Sequence, residues 1–299
     1  MTSALSTIGF ALLGMARPAF DAAAQAYLAD RTPYERRART LAVLELMYAG
    51  GLLVGAPIVG WLIAHFGWRS PFVVSAVLAI AAAAALRRLL APTPPRSAPQ
   101  RRPRIDRPAA TLLGVMTLFA FGAETMLVVF GAWLESDFGL SLLALGGVST
   151  VVGLAELAGE AVPLAVADRV GKRRTLGAGL MTAAAACVAL PALAGSLASG
   201  LGAFALALFG FEVAVVSAIP VASELWPQAR ARFLALAGVA MAAGRSVGAL
   251  TAPTLFLRGG ITGNAAVAAG AFLAAFLLLV LGTATEGFHR QGQGGRAPR

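Results

Sequence analysis

Apolar stretches long enough to cross a lipid bilayer recur from one end of the chain to the other. A spanning helix needs about 20 mostly apolar residues, since each adds only about 1.5 Å of length. Nine such stretches lie at residues 4–29, 38–64, 71–90, 109–134, 140–167, 174–194, 198–224, 230–256 and 262–284. None alternates apolar and polar residues, and all are much longer than membrane-barrel strands, so the pattern predicts helices. Pro18, Pro57, Pro163, Pro220 and Pro253 fall inside these stretches, where proline bends a span without ending it. Met1 to Ser3 is too short for the basic leader of a signal peptide, so the first stretch is read as a retained span. The expected fold class is all-α, a polytopic transmembrane helical bundle.

Composition enters here as a check. Of 299 residues, 58% are hydrophobic and 13% are charged, with a mean hydropathy of +0.78. A soluble domain carries about 25% charged residues, so a soluble enzyme or binding module is excluded. The net charge of +10 suggests nucleic acid only until the charges are located. Place the connection at 30–37 inside and let successive connections alternate. Twenty of the 24 Lys and Arg then lie inside, Arg69 and Arg258 lie outside, and Arg17 and Arg245 lie within spans. This is the positive-inside asymmetry of a multi-pass plasma-membrane protein, read here as a bacterial inner-membrane protein with a cytoplasmic C-terminus. Topology and acidic lipid account for the charge, and no nucleic-acid partner is expected.

Motifs of chemistry are few. Cys187 is the one cysteine and reads as a small buried hydrophobe. His65 and His289 lie near span ends, with no second ligand at metal spacing, so no metal is expected. No P-loop pattern and no paired cysteine occurs, so the chain reads as no enzyme and needs no cofactor.

Residues 91–108 differ from their surroundings, with six prolines and five arginines among eighteen residues. They read as an extended cytoplasmic linker between a three-span part, residues 1–90, and a six-span bundle, residues 109–285. The Gly- and Arg-rich tail, 286–299, reads as disordered. An internal repeat relates the two parts. At an offset of 193, residues 37–56 match 230–249 at ten of twenty positions. Arg37-Ala38-Arg39 falls on Arg230-Ala231-Arg232, and Gly51 and Gly55 fall on Gly244 and Gly248. Parallel repeats of this kind build transporters. If the halves are equal, about 85 residues and three spans are expected ahead of Met1.

Three motifs carry a family resemblance. Asp168-Arg169-Val170-Gly171-Lys172-Arg173-Arg174 resembles the loop motif G-x-x-x-D-R-x-G-R-R, with Leu164 at its leading glycine. Gly51 to Trp61, through Gly55, Pro57 and Gly60, resembles the exporters' G-P-x-x-G-G element, with Ala56 and Trp61 at two of its glycines. Gly67-Trp68-Arg69-Ser70-Pro71-Phe72 resembles the start of the sixth helix. On these residues the chain is similar to the last nine helices, four to twelve, of a major facilitator superfamily transporter, and most like bacterial drug and metabolite:proton antiporters. The resemblance implies that helices four, seven and ten line a central cavity.

Charges inside spans are expensive and are functional candidates by default. Arg17, Asp21, Glu45, Glu124, Glu156, Glu160, Glu212 and Arg245 are such charges. Counted from the inner ends, Arg17, Glu124, Glu156, Glu212 and Arg245 lie roughly 17–23 Å deep, near mid-membrane. Asp21, Glu45 and Glu160 come out roughly 10 Å deep. Glu124 or Glu212 is expected to carry the coupling proton, with Arg17 and Asp21 on the remaining cavity span. Arg17 and Asp21, four apart, also fit a local ion pair. Arg245 is expected to neutralise a glutamate, and Glu45 and Glu160 to serve the basic loop. Asp168, Arg169, Gly171, Lys172 and Arg173 are read as a gate, or as topology determinants alone. Gly51, Gly55, Pro57 and Gly60 are read as helix packing.

The expected function is secondary transport of a small molecule by alternating access, coupled to protons and directed outward. Two alternatives stand beside it. A ten-helix drug/metabolite-type carrier would repeat near half the chain length rather than at 193, and a membrane receptor or scaffold would bind without flux.

Overall fold

The computed structural model describes Phe20, Ala24, Tyr27 and residues 51–89, 105–226 and 230–293. All regular structure among the described residues is helical. A π-helical turn, Gly51–Gly55, runs into α1, Ala56–Phe66, followed by α2, Ser70–Leu89. Next come α3, Arg107–Leu127; α4, Phe130–Phe138; α5, Leu142–Val170; and α6, Lys172–Leu193. The series ends with α7, Leu197–Leu225, and α8, Arg230–Gln293.

Local chemistry sets these boundaries. Asp106 caps α3, its carboxylate accepting the Ala109 N–H at 3.1 Å, and Pro108 occupies the first turn. Ser141 and Ser196 cap α5 and α7 in the same way, through the N–H groups of Ala144 and Ser199. Gly139, with φ of 63°, ends α4 in the left-handed conformation that side chains resist. The stretch expected as one span at 109–134 divides into α3 and α4 around Val128 and Val129. Adjacent β-branched residues followed by Phe130 and Gly131 make this the poorest helix-forming stretch of the span. The helix of α8 continues to Gln293, into the 286–299 segment read as a tail, with no proline to stop it before Pro298.

The repeat survives in the backbone. Gly67, which ends α1, has φ 81° and ψ 167°. Gly260, 193 residues on, breaks α8 with φ 56° and ψ −159°. Both fall in a region open essentially to glycine alone. The break divides α8 into arms at 230–259 and 261–293, matching the expected pair of spans. Among the described residues the copies differ just before Pro57. Before Pro57 the chain widens into the π turn, because proline donates no N–H and its ring crowds the carbonyl four residues earlier. The second copy has Leu250 at the matching position and stays α-helical.

Six helices among the described residues are long and apolar enough to cross a membrane; one of them, Arg232–Gly282, is 51 residues long, more than one crossing requires. The buried core is drawn from α3 to α8, with Phe119, Trp133, Phe204, Phe211, Phe233 and Phe272 fully enclosed. The most extensive pairings are α3 with α8 and α6 with α7, followed by α5 with α7 and α6 with α8. Lipid tails are as apolar as leucine, so close van der Waals packing and interhelical hydrogen bonds hold such a bundle together. The α3–α8 seam shows both. Thr117 Oγ1 donates to Ala240 O at 3.1 Å, and Gly244 and Gly248 press against the backbone of Thr117 and Phe121.

Candidate functional site

Glycine decides where the intramembrane acids sit. A Cβ on Gly248 of α8 would lie 2.9 Å from Glu124 Cβ, so the absence of a side chain admits Glu124 of α3 to the seam. A Cβ on Gly159 of α5 would lie 2.6 Å from Phe209 O and 2.9 Å from Glu212 Cβ. Gly159 thus lets α7 bring Glu212 against the stretch of α5 that carries Glu156 and Glu160. Glu156 is buried at 9% exposure, and Glu124, Glu160 and Glu212 are half-buried. Glu212 therefore meets α5 at a position one residue before Glu160 and three after Glu156. Four residues separate Glu156 from Glu160, which places both on one face of α5.

Arg245, half-buried on α8, holds its guanidinium 5.9 Å from the ring centre of Phe211. Phe211 in turn meets Phe119 edge-on at 5.7 Å. The cation thus rests on the aromatic face of Phe211, the residue before Glu212 in α7, a contact between α8 and α7 that sequence reading did not foresee.

The basic loop forms the junction of α5 and α6. Gly171, at φ 101°, ends one helix and starts the next. Lys172 pairs with Glu224 near the end of α7, while Arg169 is exposed and Arg173 half-buried. An open cavity of about 480 Å³ lies here, lined by Val170, Lys172, Arg173, Arg174, Val221 and Glu224. The side chain of Asp168 lies outside the described part of the structure, as do Arg17, Asp21 and Glu45.

The four helix-packing positions separate into two pairs. Gly60 meets Gly146 of α5: a Cβ on Gly60 would lie 3.0 Å from Leu142 O and 3.2 Å from Gly146 Cα. Pro57 and Ala56 complete the contact, lying 3.3 Å and 3.0 Å from a Cβ built on Gly146. Among the described residues, Gly51 and Gly55 have nothing within 4 Å of a built Cβ.

Two polar residues escaped sequence reading. Glu224 was overlooked because it sits at a span end, although it is an acid facing a basic loop. Asn264, the one asparagine of the chain, is fully buried and donates Nδ2 to Thr125 O at 2.7 Å and to Ala252 O at 3.1 Å. It ties the two arms of α8 to α3, just before α3 breaks. A lone asparagine inside an apolar span was the available signal.

Comparison with known proteins agrees with this architecture. The family model described as Major Facilitator Superfamily matches residues 2–114 and 112–298. The uncharacterized MFS-type transporter YceJ of Bacillus subtilis (strain 168) is 28% identical over 232 residues, covering 73% of this chain and 59% of that protein. A bacterial homologue of the iron transporter ferroportin, solved in an inward-facing state, superposes with a TM-score of 0.60 at 15% identity. That match covers 85% of this chain and 65% of the homologue. A bacterial homologue of the human lysosomal transporter Spinster, inward-facing and occupied, gives 0.55 at 17% identity over 87% of this chain and 71% of that one. The chain thus spans about three fifths of YceJ and two thirds of the ferroportin homologue. With a family model covering nearly every residue and a helical bundle that superposes on transporters of that architecture, the chain belongs to the Major Facilitator Superfamily.

Proposed function

We propose that the chain carries out secondary transport of a small molecule by alternating access, coupled to protons and directed outward, in the plasma membrane of a bacterium with the C-terminus inside. The observation that carries this reading is Glu212 set against Gly159, on the stretch of α5 that bears Glu156 and Glu160. Ionised groups within a membrane-spanning bundle are costly, and neighbouring carboxylates repel. Their proton load therefore changes when helices around them shift, which is what coupling requires. Glu124, at the α3–α8 seam, is the second proton carrier in this reading, and Arg245 is the internal cation whose position biases Glu212.

Two further features support a rocking motion. The α1–α5 contact at Gly60 and Gly146 lies at the span ends assigned to the outside. The cavity beside Lys172 and Glu224 lies at the ends assigned to the inside. Closed outside and open inside is the inward-facing arrangement, and Lys172–Glu224 acts as an inner latch that exchanges partners as the cavity closes. Bond-making chemistry is assigned to no residue.

The test is proton flux in proteoliposomes under an imposed pH gradient, reported by a trapped pH-sensitive dye while a panel of drugs and metabolites is added. Compound-dependent proton movement is expected, with Glu212→Gln and Glu124→Gln abolishing it. Unchanged flux in both variants eliminates these coupling residues. Saturable binding without any flux would favour a receptor instead.

A further inference from the structure

Arg245 is a cation inside the bundle that meets a ring where it could have met an acid. Among the described residues its guanidinium forms no ion pair, although Glu124, Glu156, Glu160 and Glu212 belong to the same bundle. Glu124 is within reach. Gly248 follows Arg245 by three residues on α8, which sets their Cβ positions about 5–6 Å apart. A Cβ built on Gly248 would lie 2.9 Å from Glu124 Cβ. An arginine and a glutamate side chain laid end to end exceed that combined separation. The guanidinium nevertheless rests 5.9 Å from the centre of the Phe211 ring.

The ring that holds it is fixed from two sides. Phe211 of α7 is 1% exposed, and Phe119 of α3 is fully buried. Their ring centres lie 5.7 Å apart with the planes at 72°, an edge-to-face contact. Three helices therefore meet at this point: α3 and α7 hold the ring, and α8 brings the cation. Packing alone asks only for an apolar side chain of this volume. An aromatic ring adds a negative face, which attracts a cation and exchanges no proton with it.

The charged groups around this seat are Glu124, across the α3–α8 seam, and Glu212, which follows Phe211 and meets α5 between Glu156 and Glu160. The remaining neighbour, α6, carries its charges in its first turn, Lys172, Arg173 and Arg174. A guanidinium in direct contact favours the charged form of a carboxyl group and takes it out of proton exchange. We propose that Phe211 is a positioning residue: its ring parks the Arg245 guanidinium clear of these acids, so that they stay able to load and release protons. This role rests on the proton-coupled reading given above, and adds the part that keeps cation and acids from closing on each other.

The test replaces Phe211 by mono-, di- and trifluorophenylalanine through stop-codon suppression. Fluorine draws charge from the ring face while nearly keeping its shape, so the hold on a cation weakens in steps. Each form is made in the full chain and in Arg245→Gln, and two properties are read. The first is the unfolding midpoint in micelles titrated with SDS; the second is compound-dependent proton flux in proteoliposomes. With Arg245 present, both are expected to fall with each added fluorine, flux by roughly twofold or more over the series. In Arg245→Gln the midpoint should not follow the fluorine count. Equal trends in the two backgrounds, or none in either, would mean that the ring only packs, and overturn the role. Flat flux in a transporting protein whose midpoints fall overturns it as well, because the seat would then be structural alone. Proton movement missing from the unsubstituted chain is a different failure: it strikes the transport reading and takes this role with it.

Discussion

Gly248→Ala should destabilise the α3–α8 seam, while the same substitution at its repeat partner, Gly55→Ala, should not. A Cβ at Gly248 would stand 2.7 Å from Phe121 O and 2.9 Å from Glu124 Cβ, and both belong to the facing helix. Ordinary contacts begin at about 3.5 Å, so α8 must retreat by roughly 0.6–0.8 Å. A gap of that size forfeits about a quarter to a half of each dispersion well, and a well is worth about 0.1–0.2 kcal/mol. With on the order of 40 close atom pairs along the seam, the loss is about 2 kcal/mol. Strain on the Thr117–Ala240 hydrogen bond adds about 0.6 kcal/mol, the average for such bonds in membrane bundles. At Gly55 the new methyl meets nothing within 4 Å among the described residues, and alanine favours helix by up to about 1 kcal/mol. The assay is unfolding of purified protein in mixed micelles titrated with SDS, followed by tryptophan fluorescence. Midpoint shifts corresponding to about 2–3 kcal/mol for Gly248→Ala and under about 1 kcal/mol for Gly55→Ala are expected. Equal shifts at the two glycines would refute the idea that close approach to α3 is what Gly248 provides.

Other expectations concern single polar contacts. Asn264→Ala removes donors to Thr125 and Ala252 and should cost about 1–2 kcal/mol in the same titration; an unchanged midpoint would show that this tie bears no weight. Lys172→Met should change stability by less than about 1 kcal/mol, since both partners are well exposed, yet should alter transport rate. Swapping the pair, Lys172→Glu with Glu224→Lys, should restore that rate, and failure of rescue would remove the latch. Gly146→Leu should hold α1 and α5 apart and raise labelling of a cysteine placed at Gly60 by a membrane-impermeant thiol reagent; unchanged labelling would mean that this contact does not close the outer side. Pro57→Ala restores a backbone donor and should convert the π turn to α-helix, read as loss of the Gly60–Gly146 contact in cysteine crosslinking.

Helices were legible from sequence because crossing lipid imposes length and apolarity on each segment separately, and both can be read from a local window. The repeat was legible for a related reason: Arg37-Ala38-Arg39 and the paired glycines recur at a fixed offset, and Gly67 and Gly260 then adopt the same backbone turn. Charges within apolar runs were legible as candidates too, since any carboxylate there stands out. What surrounds each charge was not. Gly159 and Gly248 look like two among the chain's 34 glycines until the structure sets Glu212 and Glu124 against them. Arg245 could have met any acid, and which ring lies beneath it depends on how α7 and α8 cross. The division of the G-x-x-x-G motif was also hidden: identical spacing gives a packed glycine pair at 244 and 248 and, among the described residues, no close neighbour at 51 and 55. Sequence fixes which residues can share a helix face, because the period of the helix is local. Only the tertiary structure decides which face meets which, because helix contacts join residues far apart in the chain and are settled by the fit of whole surfaces.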